Sequence, residues 1–252
     1  MSNRGFVVRV VVSVIVAASV AVAGRPLVIS DAGAVDKGVF QLEAGGNYFA
    51  DSSDTSGDGS LTLSYGLVSN LEVGIGIGCQ WFHEHGDDTD ECLTDLGLGA
   101  KWMFASQDRC LLDHALAVAV VIPTADEDKG LGSGEVDLAI TWIGTRQITE
   151  PWAANVNVGY TWTGDPDDED RSDLLLYGVS TTYAITEKLE PVLEVFAETP
   201  TNADGEWKTS VFINGGLRWL VSDVLTLDTA VGTTLSGAGP NVFATVGLTW
   251  LI

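Results

Sequence analysis

Leu71-Glu72-Val73-Gly74-Ile75-Gly76-Ile77-Gly78 alternates large apolar residues with acidic or small ones without a break. A period of two is that of a β-strand, whose successive side chains point to opposite faces. One face carries Leu71, Val73, Ile75 and Ile77; the other carries Glu72, Gly74, Gly76 and Gly78. A soluble strand would hide its apolar face in a core. A membrane barrel turns that face to lipid and lines its interior with small or polar residues.

The same alternation recurs on both sides of this stretch. Leu61, Leu63 and Tyr65 are interleaved with Thr62, Ser64 and Gly66, and Leu96, Leu98, Ala100 and Trp102 with Asp95, Gly97, Gly99 and Lys101. Val136, Leu138, Ile140 and Trp142 alternate with Asp137, Ala139 and Thr141, and Val156, Val158, Tyr160 and Trp162 with Asn157, Gly159 and Thr161. Val211, Ile213, Gly215, Leu217 and Trp219 stand against Ser210, Phe212, Asn214 and Arg218; Val242, Ala244, Val246, Leu248 and Trp250 stand against Thr245, Gly247 and Thr249. About twelve such segments can be marked, each near the ~9–11 residues a tilted strand needs to cross a bilayer. They are 38–50, 58–67, 70–83, 93–104, 110–123, 133–145, 151–163, 171–185, 187–199, 208–220, 223–236 and 240–252. The pattern is weakest in 110–123 and 171–185, where apolar runs blur it. An even number suits a closed antiparallel up-and-down barrel, because closure leaves no unpaired edge in lipid.

The connectors alternate too. Val68-Ser69-Asn70, Thr186-Glu187-Lys188 and Val221-Ser222-Asp223 read as tight turns, whereas Asp51–Asp58, Glu84–Glu91, Ala125–Ser133, Gly164–Arg171 and Thr201–Trp207 are longer and acidic. Outer-membrane barrels have short periplasmic turns and longer external loops, so both ends of the chain face the periplasm on this reading. Trp81, Trp102, Trp142, Trp162, Trp207, Trp219 and Trp250 fall near strand ends, where amphipathic rings favour the membrane interface.

Charge and hydropathy fit this class. The 252 residues hold 35 acidic and 12 basic side chains, a net charge of −23, which argues against nucleic-acid binding because phosphate contacts need Lys and Arg. The mean hydropathy of +0.22 is spread over alternating segments rather than gathered in one spanning run. Only the start differs. Arg4 and Arg9 precede the apolar run Val10–Val20, and Ala21-Val22-Ala23 reads as a small-x-small cleavage site. The expected division is therefore a signal peptide over 1–23, a periplasmic segment over 24–37, and an outer-membrane barrel over 38–252 in a Gram-negative-type envelope.

With these segments in place, the chain resembles the MetA-pathway of phenol degradation family of outer-membrane transporters over most of its mature length. The resemblance rests on Ser30-Asp31-Ala32-Gly33-Ala34-Val35-Asp36-Lys37-Gly38, on Ile122-Pro123-Thr124 before an acidic loop, on Leu131-Gly132-Ser133-Gly134 with Asp137-Leu138, and on Gly215-Gly216-Leu217-Arg218-Trp219-Leu220-Val221-Ser222-Asp223. It implies a barrel with an uptake role for small solutes, hydrophobic or aromatic ones included. Its partners would be membrane lipid, the barrel-assembly machinery and a solute.

The register sets Glu43, Glu72, Asp95, Lys101, Asp137, Glu194, Glu198, Arg218 and Asp228 on the lumen side. Charges facing lipid are costly, but a wet or paired interior accepts them. Such a set reads either as a polar path that favours cations or as internal ion pairs that fill a narrow barrel. Cys79 and Cys92 flank one external loop and could form a disulfide in an oxidising envelope, leaving Cys110 over. His83, His85 and Asp87 are weak metal candidates, and a hydrated acidic loop is the plainer account of them. No cofactor motif or nucleophile signature occurs, so no enzyme activity is expected. Two other readings stay open: a structural or surface-adhesive barrel with no transport, and a soluble secreted β-sandwich.

Overall fold

The computed structural model describes residues 24–52, 54–84, 87–125, 134–164, 173–200 and 209–252. Among them run thirteen strands: β1 (Phe40–Ala50), β2 (Thr55–Val68), β3 (Leu71–Glu84), β4 (Asp87–Cys92), β5 (Leu96–Ala105), β6 (Asp113–Ile122), β7 (Asp137–Thr149), β8 (Trp152–Trp162), β9 (Leu174–Tyr183), β10 (Leu189–Pro200), β11 (Ser210–Ser222), β12 (Leu225–Ser236) and β13 (Val242–Leu251). Every neighbour in the ring is antiparallel. The sheet passes from β2 through β1 to β13, descends in order to β5 and β3, and closes where β3 pairs with β2. Twelve strands make the wall, and β4 is a short hairpin on the outer end of β3. Closure into one ring overturns the two-sheet sandwich.

The alternation has the physical meaning expected of a barrel. On β2, Leu61 and Leu63 are exposed while Thr62 and Ser64 are buried; on β3, Ile75 and Ile77 are exposed while Glu72 is buried. Apolar groups stand outside and polar ones inside, the inverse of a soluble core. In β6 the continuous apolar run resolves by size: Ala115, Ala117 and Ala119 face inward, and Leu116 faces out. Aromatic rings gather at the short-turn end, where Phe40 meets Tyr65 at 4.5 Å and Phe104 meets His114 at 5.8 Å, and at the outer end, where Tyr160 meets Trp162 at 4.8 Å. No helix among the described residues is long and apolar enough to cross a membrane; the strands form the wall.

Two expected loops are shorter than the sequence suggested. Pairing runs up to Ala50 opposite Thr55, so Asp58 leaves the Asp51–Asp58 loop and sits buried on the inner face, accepting a 2.7 Å hydrogen bond from Asn47 Nδ2. Within Glu84–Glu91, backbone pairing continues from Glu84 opposite Asp87 to Cys79 opposite Cys92, because β-pairing satisfies amides that a loop would leave to water.

Residues 24–37, set aside above as a periplasmic segment, run inside the ring. Arg25 lies against β12 and β13, Ile29 against β9 and β10, Ala32 against β7, and Val35 against β3. The chain then meets Gly66 of β2 through Lys37 and leaves the interior to begin β1. This stretch is an inner belt that circles the lumen. It is held there because the inward polar groups of the wall and the unpaired backbone groups of the belt satisfy one another.

Candidate functional site

The belt is gripped at successive positions, mostly by carboxylates, amides and hydroxyls of the strands. Glu194 on β10 is the central anchor. Its two carboxylate oxygens accept the backbone N–H groups of Val28 (3.0 Å) and Ile29 (2.8 Å), and Oε1 also accepts Asn214 Nδ2 (3.0 Å). At one end Arg25 Nη2 donates to Thr245 Oγ1 and the Val246 carbonyl, both at 2.8 Å, and pairs with Asp228 at 3.3 Å. Arg218 donates to the carbonyls of Arg25 (2.6 Å) and Gly24 (2.8 Å), and its remaining nitrogen pairs with Glu190 at 2.8 Å. Beyond Glu194, Asn157 faces Ser30 with its amide oriented to donate to the Ser30 carbonyl and accept its N–H, at 2.9 and 2.8 Å. Thr145 Oγ1 accepts Ala32 N–H at 2.8 Å, and Glu72 accepts Val35 N–H at 2.6 Å while pairing with Lys101 at 3.4 Å. Glycines make room for the belt. A Cβ at Gly45 or Gly247, which pair across β1 and β13, would fall on the Arg25 guanidinium. One at Gly178 would stand 2.8 Å from Ile29 Cδ1.

The residues expected in the lumen therefore separate into groups. Glu72, Lys101, Glu194, Arg218 and Asp228 hold the belt or pair beside it. Glu43 is buried between strands and accepts Thr249 Oγ1 at 3.3 Å. Glu198 is buried on the inner face of β10, with Oε1 unpartnered. Asp95 and Asp137 stand at the outer rim. Asp95 Oδ1 accepts Thr124 and Ala125 N–H at 2.8 and 2.9 Å, and Asp137 Oδ1 accepts Gly164 N–H at 3.1 Å, so each ties a loop to the wall. The interior is not uniformly acidic: the belt also packs on apolar inner residues, Ala32 with Ala115, Ala117, Ala119 and Ile143, and Ile29 with Phe196 and Phe212.

Of four inward phenylalanines, the alternation in the sequence set only Phe212 on the inner face. Phe49 on β1, Phe243 on β13, Phe212 on β11 and Phe196 on β10 form a continuous ribbon of rings, with centroid separations of 6.4, 6.3 and 4.9 Å. The Phe243 ring crosses β12 over Gly232, where a Cβ would collide with it. The ribbon and the belt residues Pro26 and Val28 line a small pocket of about 40 Å³, completed by Asn47, Asn214, Pro240 and Thr245. Its signal was parity: each ring sits on the inward register of its strand, two residues from an inward polar group such as Asn47, Glu194, Asn214 or Thr245.

Cys79 is in a disulfide and Cys110 is free and exposed; the backbone register sets Cys79 opposite Cys92. The side chains of Cys92, His83, His85 and Asp87 lie outside the described residues. Among the described residues no group of three or more His, Cys, Asp or Glu side chains could hold a metal.

A closed twelve-strand wall, apolar outside and polar within, defines the class of outer-membrane β-barrels. The chain belongs to the family described as "Putative MetA-pathway of phenol degradation", whose model matches residues 23–252. Solved structures share the fold. The COG4313 outer membrane channel from Pseudomonas putida F1 has a TM-score of 0.70 at 16% identity, covering 88% of this chain and 98% of its own. The NanC porin follows at 0.60 and 11%, covering 83% and 98%, and the KdgM porin at 0.55 and 8%, with the same coverage. No curated protein sequence matches the chain.

Proposed function

We propose that this barrel is an outer-membrane channel that admits small solutes through its lumen, past the inner belt. The observation that carries the reading is the inversion of polarity. A ring with exposed Leu61, Ile75, Leu98 and Trp219 outside encloses Glu43, Asp58, Glu72, Gln80, Glu194 and Glu198. A polar interior in an apolar exterior is a route across lipid for what lipid excludes. The unbalanced inner carboxylates favour cations over anions. The kinship of fold with channels and porins supports the same reading.

Export by a cleaved signal over residues 1–23 agrees with the belt. Cleavage after Ala23 would start the mature chain at Gly24, whose carbonyl is already bound by Arg218 inside the ring. Membrane lipid and the barrel-assembly machinery are the partners this route requires. The test is reconstitution of the heat-modifiable barrel in planar bilayers. We expect discrete cation-preferring conductance steps. A folded barrel that passes neither ions nor small neutral solutes overturns the proposal.

A further inference from the structure

We infer that Asp58 and Ser56, on the inner face of β2, form a binding site for one partly dehydrated monovalent cation; the inference rests on the channel reading for how the ion arrives, not for the chemistry that holds it. Asp58 belongs to a polar row that crosses four neighbouring strands at one level. Thr245 of β13 stands opposite Asn47 of β1, Asn47 opposite Asp58, and Asp58 opposite Gln80 of β3. Ser56 is the next inward residue of β2 towards the outer end. Part of the row is already engaged. Thr245 Oγ1 accepts Arg25 Nη2 at 2.8 Å, and Asp58 Oδ1 accepts Asn47 Nδ2 at 2.7 Å. The second carboxylate oxygen is not: Asp58 is 4% exposed and its Oδ2 has no hydrogen-bond partner. Ser56 is 3% exposed, and its Oγ has none either. Residues two apart on a strand share a face and lie about 7 Å apart along it, so one ion between them can bond to both oxygens.

The chemistry of these atoms selects the ligand. An ionised carboxylate oxygen only accepts, so what completes it is a proton donor or a cation. A buried charge is costly unless something pairs with it. Arg25 is spent elsewhere, on Asp228 at 3.3 Å and on Thr245 and the Val246 carbonyl. The donor set also fixes the charge of the ion. Calcium takes six to eight oxygens with several carboxylates among them, and magnesium holds an octahedral shell of waters. Asp58 is the one carboxylate of its row, and Ser56, Asn47, Gln80 and Thr245 are neutral. A single negative charge with hydroxyl and amide neighbours matches an ion of one positive charge.

The test uses the full barrel in detergent micelles, its folding checked by heat-dependent gel mobility, and sodium nuclear magnetic resonance with Na⁺ as the probe. We expect the barrel to broaden the sodium line, K⁺ to reverse the broadening, and Mg²⁺ at the same concentration to leave it. Three variants locate the site. Asp58→Asn keeps the shape and removes the charge; it abolishes the broadening and lowers the preference for K⁺ over Cl⁻ several-fold in planar bilayers. Ser56→Ala keeps the charge and removes one oxygen, weakening Na⁺ binding about fivefold. Asp223→Asn takes one carboxylate from the exposed turn between β11 and β12 and changes neither readout, which controls for net charge. Ser56→Ala carries the test by itself if Asp58→Asn does not fold. Equal broadening in the wild type and both β2 variants, an equal loss in Asp223→Asn, or displacement by Mg²⁺ as readily as by K⁺ overturns the inference. The two proposals fail separately. Current that keeps its cation preference in Asp58→Asn, with the broadening intact, sinks the site and leaves the channel. Broadening that depends on Asp58 in a barrel that passes no current sinks the channel and leaves the site.

Discussion

The belt meets two different walls. Against β6 and β7 the inward residues are Ala115, Ala117, Ala119 and Ile143, and Ala32 packs onto them until all five are at most 3% exposed. On β1, β10, β11 and β13 the inward residues include Phe49, Phe196, Phe212 and Phe243, and a pocket of about 40 Å³ remains beside the belt. Small side chains let the belt seat flush, and large ones leave a small gap beside it. The reason is contact. Dispersion is gained only when atoms touch, so a peptide settles onto a smooth alanine wall. Four bulky rings give an uneven surface: Ile29 packs on Phe196 and Phe212, and a small gap is left where the rings face Pro26 and Val28. Glu194, which binds Val28 and Ile29, lies where one regime gives way to the other.

Removing that anchor should have the largest effect. Glu194→Ala takes away the acceptor of two belt amides and of Asn214, and hydrogen bonds to a charged group contribute about 1.5–3 kcal/mol each. We expect the belt to leave the wall, single-channel conductance to rise several-fold, and residues 24–37 to become open to protease. Unchanged conductance with a protected belt would break the division into two halves. Next comes Lys101→Met, which strands the buried Glu72 carboxylate. A loss of about 3 kcal/mol in denaturant unfolding is expected, with partial recovery when Glu72→Gln is added. A matched pair then sharpens the contrast. Ala117→Leu overpacks the alanine wall and should cost about 1–3 kcal/mol, whereas Val28→Ile adds one methyl group beside the small pocket and should cost less than about 1 kcal/mol. Equal costs would mean that the two walls pack the belt alike. The smallest effect is chemical and marks orientation. Cys110 is exposed in the turn between β5 and β6, at the short-turn end. A membrane-impermeant maleimide should label it only after the outer membrane is permeabilised, with no change in conductance; labelling in intact cells would invert the assigned topology.

Much of the wall was legible because its rule is local. Period two in Leu71–Gly78 sets inside and outside for β3, and the pairings of β3 with β2 and β5 keep those faces. Where the rule failed, pairing overrode composition: Asp58 looked like an acidic loop residue and is a buried wall residue. Asp95 and Asp137 obeyed parity but lie at the rim, because parity says which face a residue occupies and not how far along the barrel it sits. The phenylalanine ribbon was hidden for a related reason. Phe196 and Phe212 are neighbours through pairing of β10 with β11, while Phe49 and Phe243 meet only because the first wall strand pairs with the last.

By itself the sequence determined the strand period, the inward and outward faces, and the alternation of short and long connectors, since each depends on residues close together in the chain. Only the tertiary structure decided that residues 24–37 lie inside the ring. Closure creates a polar interior whose buried groups need partners, and the nearest unpaired backbone is the belt. The carboxylates that looked like a path for solute turn out in part to be the grip on that belt. Barrel closure also brings Phe49 of the first wall strand to Phe243 of the last, completing the ring ribbon beside the belt.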